Sequence, residues 1–236
     1  MRRFRALGAI LTAALIATAG CGNLSGLGGD SKLPSAAPSN SVLIQHPQKE
    51  WAANGKTITP TAIVLHWWDG WGGGQDIDRL VRDATANKTN YDPAKKSTEN
   101  RPNIGHVTVQ VGVTGDGKAY QLTPQLNTFA RHAKCANDWA IGIEIEGFGP
   151  GDPHGHYIGD NKAQFDTVVE VVKLLMGLYG IKAESVVAND GKSGRGIVSH
   201  KNVDKQCQWA DGKPAGSGKV DVDDTYLKRV LTAVGG

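Results

Sequence analysis

Continuous and alternating runs of apolar residues along the chain predict several short strands. Residues 62–65 form a continuous apolar run with β-branched members, which is typical of a buried strand and brings His66 to its end. Valines alternate with mostly polar residues over 107–113, which predicts another strand. Residues 114–118 have the Asp-Gly chemistry of a hairpin turn, so residues 119–122 are predicted to return as the partner strand.

Residues 140–147 form a further predicted strand, in which isoleucines alternate with other residues. Period-2 alternation puts the isoleucines on one face and Glu144 and Glu146 on the other, toward a cleft or solvent. A short strand over 197–199 then brings His200 to its end. Two predicted strands therefore end at a histidine, and strand ends are where a rigid sheet presents side chains to a cleft.

Apolar residues recur at helical spacing in three segments. The longest helix is predicted at 162–179, where Gly180 suits the position after the last helical residue. Shorter helices are predicted at 76–87 and 223–234, and the polar segment 88–103, with two prolines, is predicted to be a loop. Because strands and helices alternate irregularly, the pattern indicates an α/β fold in which helices pack on a mixed β-sheet.

The first twenty residues have the pattern of a sorting signal rather than of a folded domain. A basic head with three arginines precedes an apolar run over 6–20 that is too short to span a bilayer stably. The run ends at Thr18-Ala19-Gly20-Cys21, which resembles the lipobox of bacterial lipoproteins, although Leu is usual where Thr18 stands. We predict a lipoprotein signal peptide at 1–20 and lipid attachment at Cys21, with an ordinary secretory signal as the alternative.

Composition divides the rest of the chain into two parts. Residues 21–49 are rich in Gly, Ser, Pro and Asn, so they are predicted to form a flexible tether. Residues 50–236 suit one domain with one core. Cys135 and Cys207 remain as an even pair in a predicted exported domain, where they either form a disulfide or stay as two buried thiols.

The net charge of +3 is mainly a property of the predicted signal peptide. Three of the 26 basic residues lie in that signal, and the others equal the 23 acidic residues in number. A mature chain with balanced charge gives no electrostatic reason to expect a nucleic-acid partner, and we predict none.

Two histidines and a later carboxylate offer the donor types of a catalytic zinc site. His66, His200 and Asp221 would leave a fourth coordination position open to water, unlike a closed structural site. The chain has seven histidines, however, and a single histidine is more often a hydrogen-bonded polar residue than a ligand. His154 and His156 lie in a Gly-rich loop without a third ligand and are predicted to be solvated. Spacing alone leaves both interpretations of the three candidates open.

Several short motifs occur along the domain in a specific order. They are Leu65-His66, Asn103-Ile104-Gly105-His106, Arg131-His132-Ala133, Ile141-Gly142-Ile143-Glu144-Ile145-Glu146-Gly147, Ser199-His200-Lys201-Asn202-Val203 and Lys219-Val220-Asp221. Together they resemble the type-2 N-acetylmuramoyl-L-alanine amidases, a superfamily that includes phage amidases and the animal peptidoglycan recognition proteins. The resemblance covers residues 61–221. It implies a single domain with a central mixed β-sheet flanked by helices, and a Zn²⁺ ion bound by His66, His200 and Asp221.

The resemblance also implies which residues act on the substrate. Glu144 matches the catalytic glutamate of the acidic-type branch, and Lys219 matches its catalytic lysine. Glu144 would transfer protons between water and the leaving amine, and Lys219 would stabilise the oxyanion. The choice of Glu144 over Glu146 rests on the resemblance, because alternation gives both the same face. His106 stands where the recognition-protein branch has its catalytic tyrosine, and it is the second candidate for proton transfer.

The chain departs from the family pattern after the predicted carboxylate ligand. The family usually continues with Pro-Gly, whereas this chain reads Asp221-Val222-Asp223 and has a Gly/Lys-rich insert over 211–218. Asp223 or Asp224 is therefore an alternative ligand, although the Lys-x-Asp pattern favours Asp221.

Aromatic and polar residues around the predicted cleft are candidates for substrate binding. Trp67 follows the first predicted ligand directly, and aromatic faces pack on sugar rings and peptide methyl groups. Trp68 and Trp71 lie close by, with packing in the core as the alternative for all three. Arg131 is a candidate for binding stem-peptide carboxylates, as is Arg101, and His106 belongs to the same substrate-binding group.

These expectations combine into one predicted function. The family resemblance implies a zinc-dependent amidase, and the N-terminal signal predicts that it is exported, anchored by its lipid to the bacterial membrane and facing the cell wall. It would hydrolyse the amide bond between the lactyl group of muramic acid and L-alanine, so its partners would be peptidoglycan or muropeptides. A noncatalytic recognition module and a zinc hydrolase of another stem-peptide amide are the two alternatives.

Overall fold

The computed structural model describes residues 42–235 except 53–54, 69, 71–72, 75, 87, 90–104, 209–211 and 217, and except the side chains of 88–89 and 105–106. The predicted signal peptide and Cys21 lie outside the described residues. No helix among those described is both long enough and apolar enough to cross a membrane.

Within the described part of the chain, seven strands form one mixed sheet in the order β1-β6-β5-β7-β2-β9-β8. Four neighbouring pairs are parallel, β1–β6, β5–β7, β7–β2 and β2–β9, whereas the pairs β5–β6 and β9–β8 are antiparallel. A separate two-stranded ribbon joins β3 to β4. In chain order the strands are β1 (Leu43–Gln45), β2 (Ala62–Trp67), β3 (Lys88–Thr89), β4 (Gly105–His106), β5 (Val111–Val113), β6 (Ala119–Gln121), β7 (Ala140–Ile145), β8 (Ser185–Val187) and β9 (Gly194–Ser199).

Four α-helices among the described residues flank this sheet, which confirms the predicted α/β class. They are α1 (Ile77–Ala86), α2 (Lys162–Tyr179), α3 (His200–Gln206) and α4 (Asp224–Gly235). The predicted 162–179 helix is confirmed: Asn161 caps α2 by accepting a hydrogen bond from the Gln164 amide. Gly180 ends α2 at φ 67°, a left-handed conformation that favours glycine.

Alternation along the central strands gives the sheet two different faces. Ile63 and Leu65 of β2, with the three isoleucines of β7, lie on the face covered by the apolar sides of α2 and α4. On the opposite face, Ala62 and Val64 pack with Trp139 and the short helical segment Lys134–Asp138. His66 lies on this second face, which is the side of the sheet that α2 and α4 do not cover.

The structure begins the domain earlier than composition suggested. Strand β1 lies within the predicted tether, yet it pairs in parallel with β6, and Leu43 is only 3% exposed. Composition missed this strand because three residues are too few to change the average of a polar segment. The tether stays a prediction, but residues 43–45 belong to the sheet and not to it.

Three other local predictions differ from the structure. The strand predicted from Val107 begins only at Val111, because Thr108 and Gln110 hydrogen-bond with Arg131 and Leu122 instead of continuing the ladder. Strand β8 was not predicted, since it is an exposed edge strand without alternation. Helix α3 was also missed, because its seven residues are too few to show a helical period.

Candidate active site

The sheet register brings the predicted histidines and glutamate to the same edge. His66 on β2 lies directly beside Glu144 on β7, so both side chains project from the same face. On the other side of β2, Leu65 pairs with Ser199, and His200 follows as the first residue of α3. These residues stand at the carboxyl ends of neighbouring parallel strands, where α/β sheets commonly bind ligands.

Asp221 completes a compact group with the two histidines. Its Oδ2 lies 3.2 Å from His66 Nδ1 and 3.1 Å from His200 Nδ1, and all three side chains are buried. The two alternative metal ligands, Asp223 and Asp224, have other partners. Asp223 accepts hydrogen bonds from the amides at the start of α4 and from Tyr157. Asp224 pairs with Lys201 at the surface. The structure therefore brings Asp221 to the histidines, and not Asp223 or Asp224.

This group has the composition of a metal site. One donor atom from each of His66, His200 and Asp221 lies within 4.8 Å of the others. Two imidazole nitrogens and one carboxylate oxygen, next to an open cleft, fit a Zn²⁺ ion with three protein ligands and one free position. No other such group occurs among the described residues, and His154 and His156 lie outside it, as predicted.

The charge states of these side chains also suit a cation. Burial lowers the pKa of His66 to about 4, with His200 adding to the effect and Asp221 opposing it. Burial alone would raise the pKa of Asp221, but its contacts with His200 and His66 outweigh burial and hold that pKa below its usual range. At neutral pH His66 is therefore an uncharged donor and Asp221 an anion, which are the forms that metals bind.

Of the two glutamates Glu144 and Glu146, only Glu144 lines the cleft. Burial raises the pKa of Glu144 well above its ordinary value, the charge of Asp221 adds to this, and Lys219 opposes it. A raised carboxyl pKa suits a group that both accepts and donates a proton. Glu146 differs: it is fully buried, and its carboxylate accepts hydrogen bonds from the amides of Gly115 at 2.9 Å and Gly74 at 3.3 Å. Glu146 therefore holds two loops together, and the prediction that it faces a cleft or solvent is wrong.

Lys219 reaches the same cleft from the loop before Asp221. Its side chain is exposed and lines the cleft, while its backbone amide donates to Asp204 Oδ2 at 3.0 Å. The buried Asp204 also pairs with Lys134 Nζ at 2.7 Å, and Lys134 donates to the carbonyl oxygen of Ala215 at 2.8 Å. An ion pair beneath the loop thus fixes the backbone position from which Lys219 extends.

A covalent link also lies close to the Lys134–Asp204 ion pair, at the base of the loop that carries Lys219. Cys135 and Cys207 form a disulfide, the first of the two predicted alternatives. Cys207 follows α3, and its carbonyl oxygen accepts a hydrogen bond from the amide of Ala215 at 2.8 Å. The disulfide therefore ties the Lys134–Asp138 segment to the base of the insert that precedes Lys219.

His132 is part of the site, although no role was predicted for it. Its Nδ1 lies 3.0 Å from His66 Nε2, and its Nε2 lies 3.2 Å from the carbonyl oxygen of Ala140. Burial, followed by the effect of His66, lowers the pKa of His132 well below its ordinary value. The motif around His132 was part of the family resemblance, which was the available signal, but the motif does not say which atom His132 contacts.

A cleft of about 800 Å³ opens over the group. Trp67 and Trp68 line it near His66, and Arg79 and Asp83 of α1 also line it. Trp67 packs closely on Gly149, where an added Cβ would lie 2.6 Å from the indole ring. A tryptophan next to the histidine therefore forms part of the cleft wall, while Trp71 lies outside the described residues.

The remaining substrate-binding candidates are less directly placed. Arg131 is not among the described residues that line the cleft, and its Cζ lies 5.5 Å from the centroid of the Phe129 ring. A role for Arg131 in substrate binding stays a prediction. The backbone of His106 pairs with Lys88 in the ribbon, whereas the side chain of His106 and all of Arg101 lie outside the described residues.

Comparisons with known proteins agree with this architecture. The family model described as N-acetylmuramoyl-L-alanine amidase matches residues 56–213. A mutant of PlyL superposes with a TM-score of 0.51 at 16% identity, covering 81% of this chain and 97% of that one. The catalytic domain of XlyA gives 0.48 at 18%, covering 82% and 100%. Staphylococcus aureus hydrolase AmiA, solved with its ligand, gives 0.47 at 15%, covering 85% and 83%. No curated protein matches significantly by sequence.

Proposed function

The chain belongs to the N-acetylmuramoyl-L-alanine amidase family, and from this premise we propose that it is a zinc-dependent hydrolase of peptidoglycan. The bond cleaved is the amide between the lactyl group of muramic acid and L-alanine of the stem peptide. The observation that carries the proposal is the buried group His66, His200 and Asp221 with Glu144 beside it at the floor of an open cleft.

The metal site supplies the first part of the chemistry. His66, His200 and Asp221 would hold Zn²⁺, which acts as a Lewis acid and lowers the pKa of water toward neutrality when bound. The two histidines and the carboxylate have a combined charge of −1 when the rings are neutral, so the site attracts a divalent cation. Helix α3 begins at His200 and strand β2 includes His66, so regular elements hold both rings.

Proton transfer is assigned to Glu144. Hydrolysis adds water across the carbon–nitrogen bond, so one proton must move from the attacking water to the leaving nitrogen of L-alanine. The Glu144 carboxylate accepts that proton and then donates it to the nitrogen. Its position beside His66 in the sheet, on the face that opens into the cleft, keeps it close to the reacting atoms.

Lys219 is assigned to the carbonyl oxygen. As water adds to the amide carbon, this oxygen gains negative charge, which an ammonium group stabilises by a charge-assisted hydrogen bond. The hydrogen bond from the Lys219 amide to Asp204 fixes the backbone from which the side chain reaches the cleft. An anchored donor stabilises the transition state with less rearrangement than a mobile one.

The test uses purified peptidoglycan and the purified protein, with and without a chelator. Zinc-restorable release of stem peptides that begin with L-alanine, detected by mass spectrometry, is the expected result. His66→Ala and Asp221→Ala should remove both zinc binding and release, whereas His154→Ala, an exposed histidine outside the metal group, should change neither. Binding of muropeptides without cleavage would make the chain a recognition module. Products cut at another amide of the stem peptide would show that the proposed bond is the wrong one.

We also propose that the protein is exported and held on a bacterial membrane by a lipid on Cys21, facing the cell wall. The support is the basic head, the short apolar run and the small residues before Cys21. Expression of the full chain in bacteria should give a protein that partitions into detergent and carries two acyl chains at the new N-terminus. Cys21→Ala should abolish the acylation, and an unchanged lipid content in that variant would contradict the proposal.

A further inference from the structure

We propose that His132 is a positioning residue that fixes the tautomer and the orientation of His66 for metal binding. The inference rests on the proposed metal site, since it concerns how one ligand of that site is prepared. Among the described residues, the His132 ring hydrogen-bonds with His66 and with the carbonyl oxygen of Ala140, and not with Asp221 or His200. Its effect on the site must therefore pass through His66.

The hydrogen positions follow from which atoms can donate. The Ala140 carbonyl oxygen can only accept, so the hydrogen of the His132 ring lies on Nε2, 3.2 Å away. His132 Nδ1 then carries a lone pair and faces His66 Nε2 at 3.0 Å. His66 must therefore donate from Nε2. The opposite assignment would place two lone pairs against each other in one of these contacts.

This assignment decides which nitrogen of His66 is available to a metal. With its hydrogen on Nε2, His66 presents the lone pair of Nδ1 to the cleft, 3.2 Å from Asp221 Oδ2. A lone pair facing a carboxylate oxygen at that distance is an arrangement that a cation between them stabilises. His66 Nδ1 is also on the side of His200, whose Nδ1 lies 3.1 Å from the same oxygen. The hydrogen bond from His66 to His132 thus turns the metal-binding nitrogen of His66 toward the other two donors.

The ring of His132 is held in a closely fitting pocket. An added Cβ at Gly142 would lie 2.8 Å from both Cγ and Nδ1 of His132, so the absence of a side chain at 142 leaves the space for the ring. The Asn137 side chain accepts hydrogen bonds from the amides of His132 at 3.0 Å and Ala133 at 2.8 Å. Gln110 Oε1 in turn accepts from the Gly142 amide at 2.7 Å. Each side of the pocket is therefore fixed by the backbone or by a hydrogen bond.

Two substitutions separate positioning from simple filling of space. His132→Leu removes the acceptor that faces His66, while His132→Asn keeps an oxygen acceptor near the place of Nδ1. Partners that orient a metal-binding histidine typically contribute about 10- to 100-fold in metal affinity. We expect His132→Leu to weaken Zn²⁺ binding by that factor, and His132→Asn to remain within about 3-fold of the wild type.

The experiment is a Zn²⁺ titration of the full chain in detergent, after metal removal, against a competing coloured chelator. Melting temperatures in excess chelator report the stability of each metal-free variant. If His132→Leu does not fold, Gly142→Ala serves instead, because it keeps both imidazoles while its Cβ crowds the His132 ring and Val109 Cγ2; weaker binding is expected there too. Wild-type affinity in His132→Leu or in Gly142→Ala would overturn the inference, as would equal losses in the Leu and Asn variants.

A second readout observes the hydrogen positions directly. In ¹⁵N-detected imidazole spectra of the zinc-loaded wild type, we expect His66 and His132 both to carry their hydrogen on Nε2. A hydrogen on Nδ1 of His132 would overturn the inference even if all variants bind zinc weakly. Failure of the wild type to bind Zn²⁺ at all would instead contradict the proposed function, so the two failures are distinguishable.

Discussion

Glu144 offers the sharpest test at the scale of a single residue. Glu144→Gln keeps the size of the side chain but removes its ability to take a proton, so the rate of hydrolysis should fall by about 10²- to 10⁴-fold. Zinc affinity should change little, because Glu144 is not among the three donors. Rates on soluble muropeptides and zinc titrations measure the two effects. Glu170→Gln, on the surface of α2, is the matched control and should match the wild type.

Glu146→Gln tests whether the two glutamates of the 140–147 motif have different roles. Glu146 is buried and binds two loop amides, so its loss should lower the melting temperature rather than act first on the chemical step. A normal melting temperature with a large loss of rate in Glu146→Gln, together with an active Glu144→Gln, would reverse the assignment of the catalytic carboxylate.

Residue-scale chemistry could be predicted only in part from the sequence. Alternation along β7 correctly separates Glu144 from the isoleucines, but it cannot distinguish a carboxylate that faces a cleft from one that binds loop amides. That difference depends on Gly74 and Gly115, which are far from Glu146 along the chain. His132 was missed for the same reason, because its contact with His66 joins two segments separated by 66 residues.

At the scale of elements, the buried ion pair under the Lys219 loop should contribute more to the free energy of unfolding than ion pairs at the surface. Asp204→Asn leaves Lys134 partly buried without its charged partner, and it weakens the contact that holds the Lys219 amide. We expect the free energy of unfolding to fall by about 2–4 kcal/mol. Asp166→Asn breaks the exposed pair with Lys162 on α2 and should change it by less than about 0.5 kcal/mol.

Urea unfolding of the two variants, followed by fluorescence, checks this comparison. The rate of hydrolysis gives a second measurement: a less firmly held Lys219 should lower the rate of Asp204→Asn at a temperature where the variant is still folded. Equal stabilities of the Asp204 and Asp166 variants would mean that the buried pair has no structural role in the loop.

The disulfide connects two elements around the same loop. Cys135 and Cys207 are separated by 72 residues, and closing a loop of that length in the unfolded chain stabilises the fold by about 4 kcal/mol in the chain-entropy description. The double variant Cys135→Ser, Cys207→Ser should therefore unfold at a clearly lower urea concentration. Treatment of the wild type with a reductant should reproduce the shift, and an identical midpoint for oxidised and reduced protein would contradict this prediction.

Long periodic elements were the easiest to predict, and short elements were the hardest. Helix α2 has eighteen residues, a polar cap and a terminal glycine, so local signals agree along its whole length. Strands β1 and β8 have three residues each and lie at the two edges of the sheet. Their positions depend on the strand that each one pairs with, and a single sequence does not contain that information in a local pattern.

For the molecule as a whole, the first strand decides where the folded domain begins. Leu43 is buried in the main core, and β1 supplies one edge of the seven-stranded sheet by pairing with β6. A protein without residues 1–49 exposes the edge of β6 and loses the burial of Leu43, which alone contributes about 1.5–3 kcal/mol. A protein without residues 1–41 keeps both. We expect the shorter protein to melt at a clearly lower temperature than the longer one.

The comparison also distinguishes a structural first strand from a part of the tether. His46 and Gln48 add hydrogen bonds from their amides to the carbonyl oxygens of Gln121 and Leu122, at 3.0 and 2.8 Å, so removal of the segment loses more than one side chain. The three residues proposed to bind the metal lie on β2, α3 and the loop before α4, and not on β1 or β6. Zinc affinity at low temperature should therefore be similar in the two proteins, while only the melting temperature differs. Equal melting temperatures would mean that residues 42–49 belong with the tether in solution, as their composition first suggested.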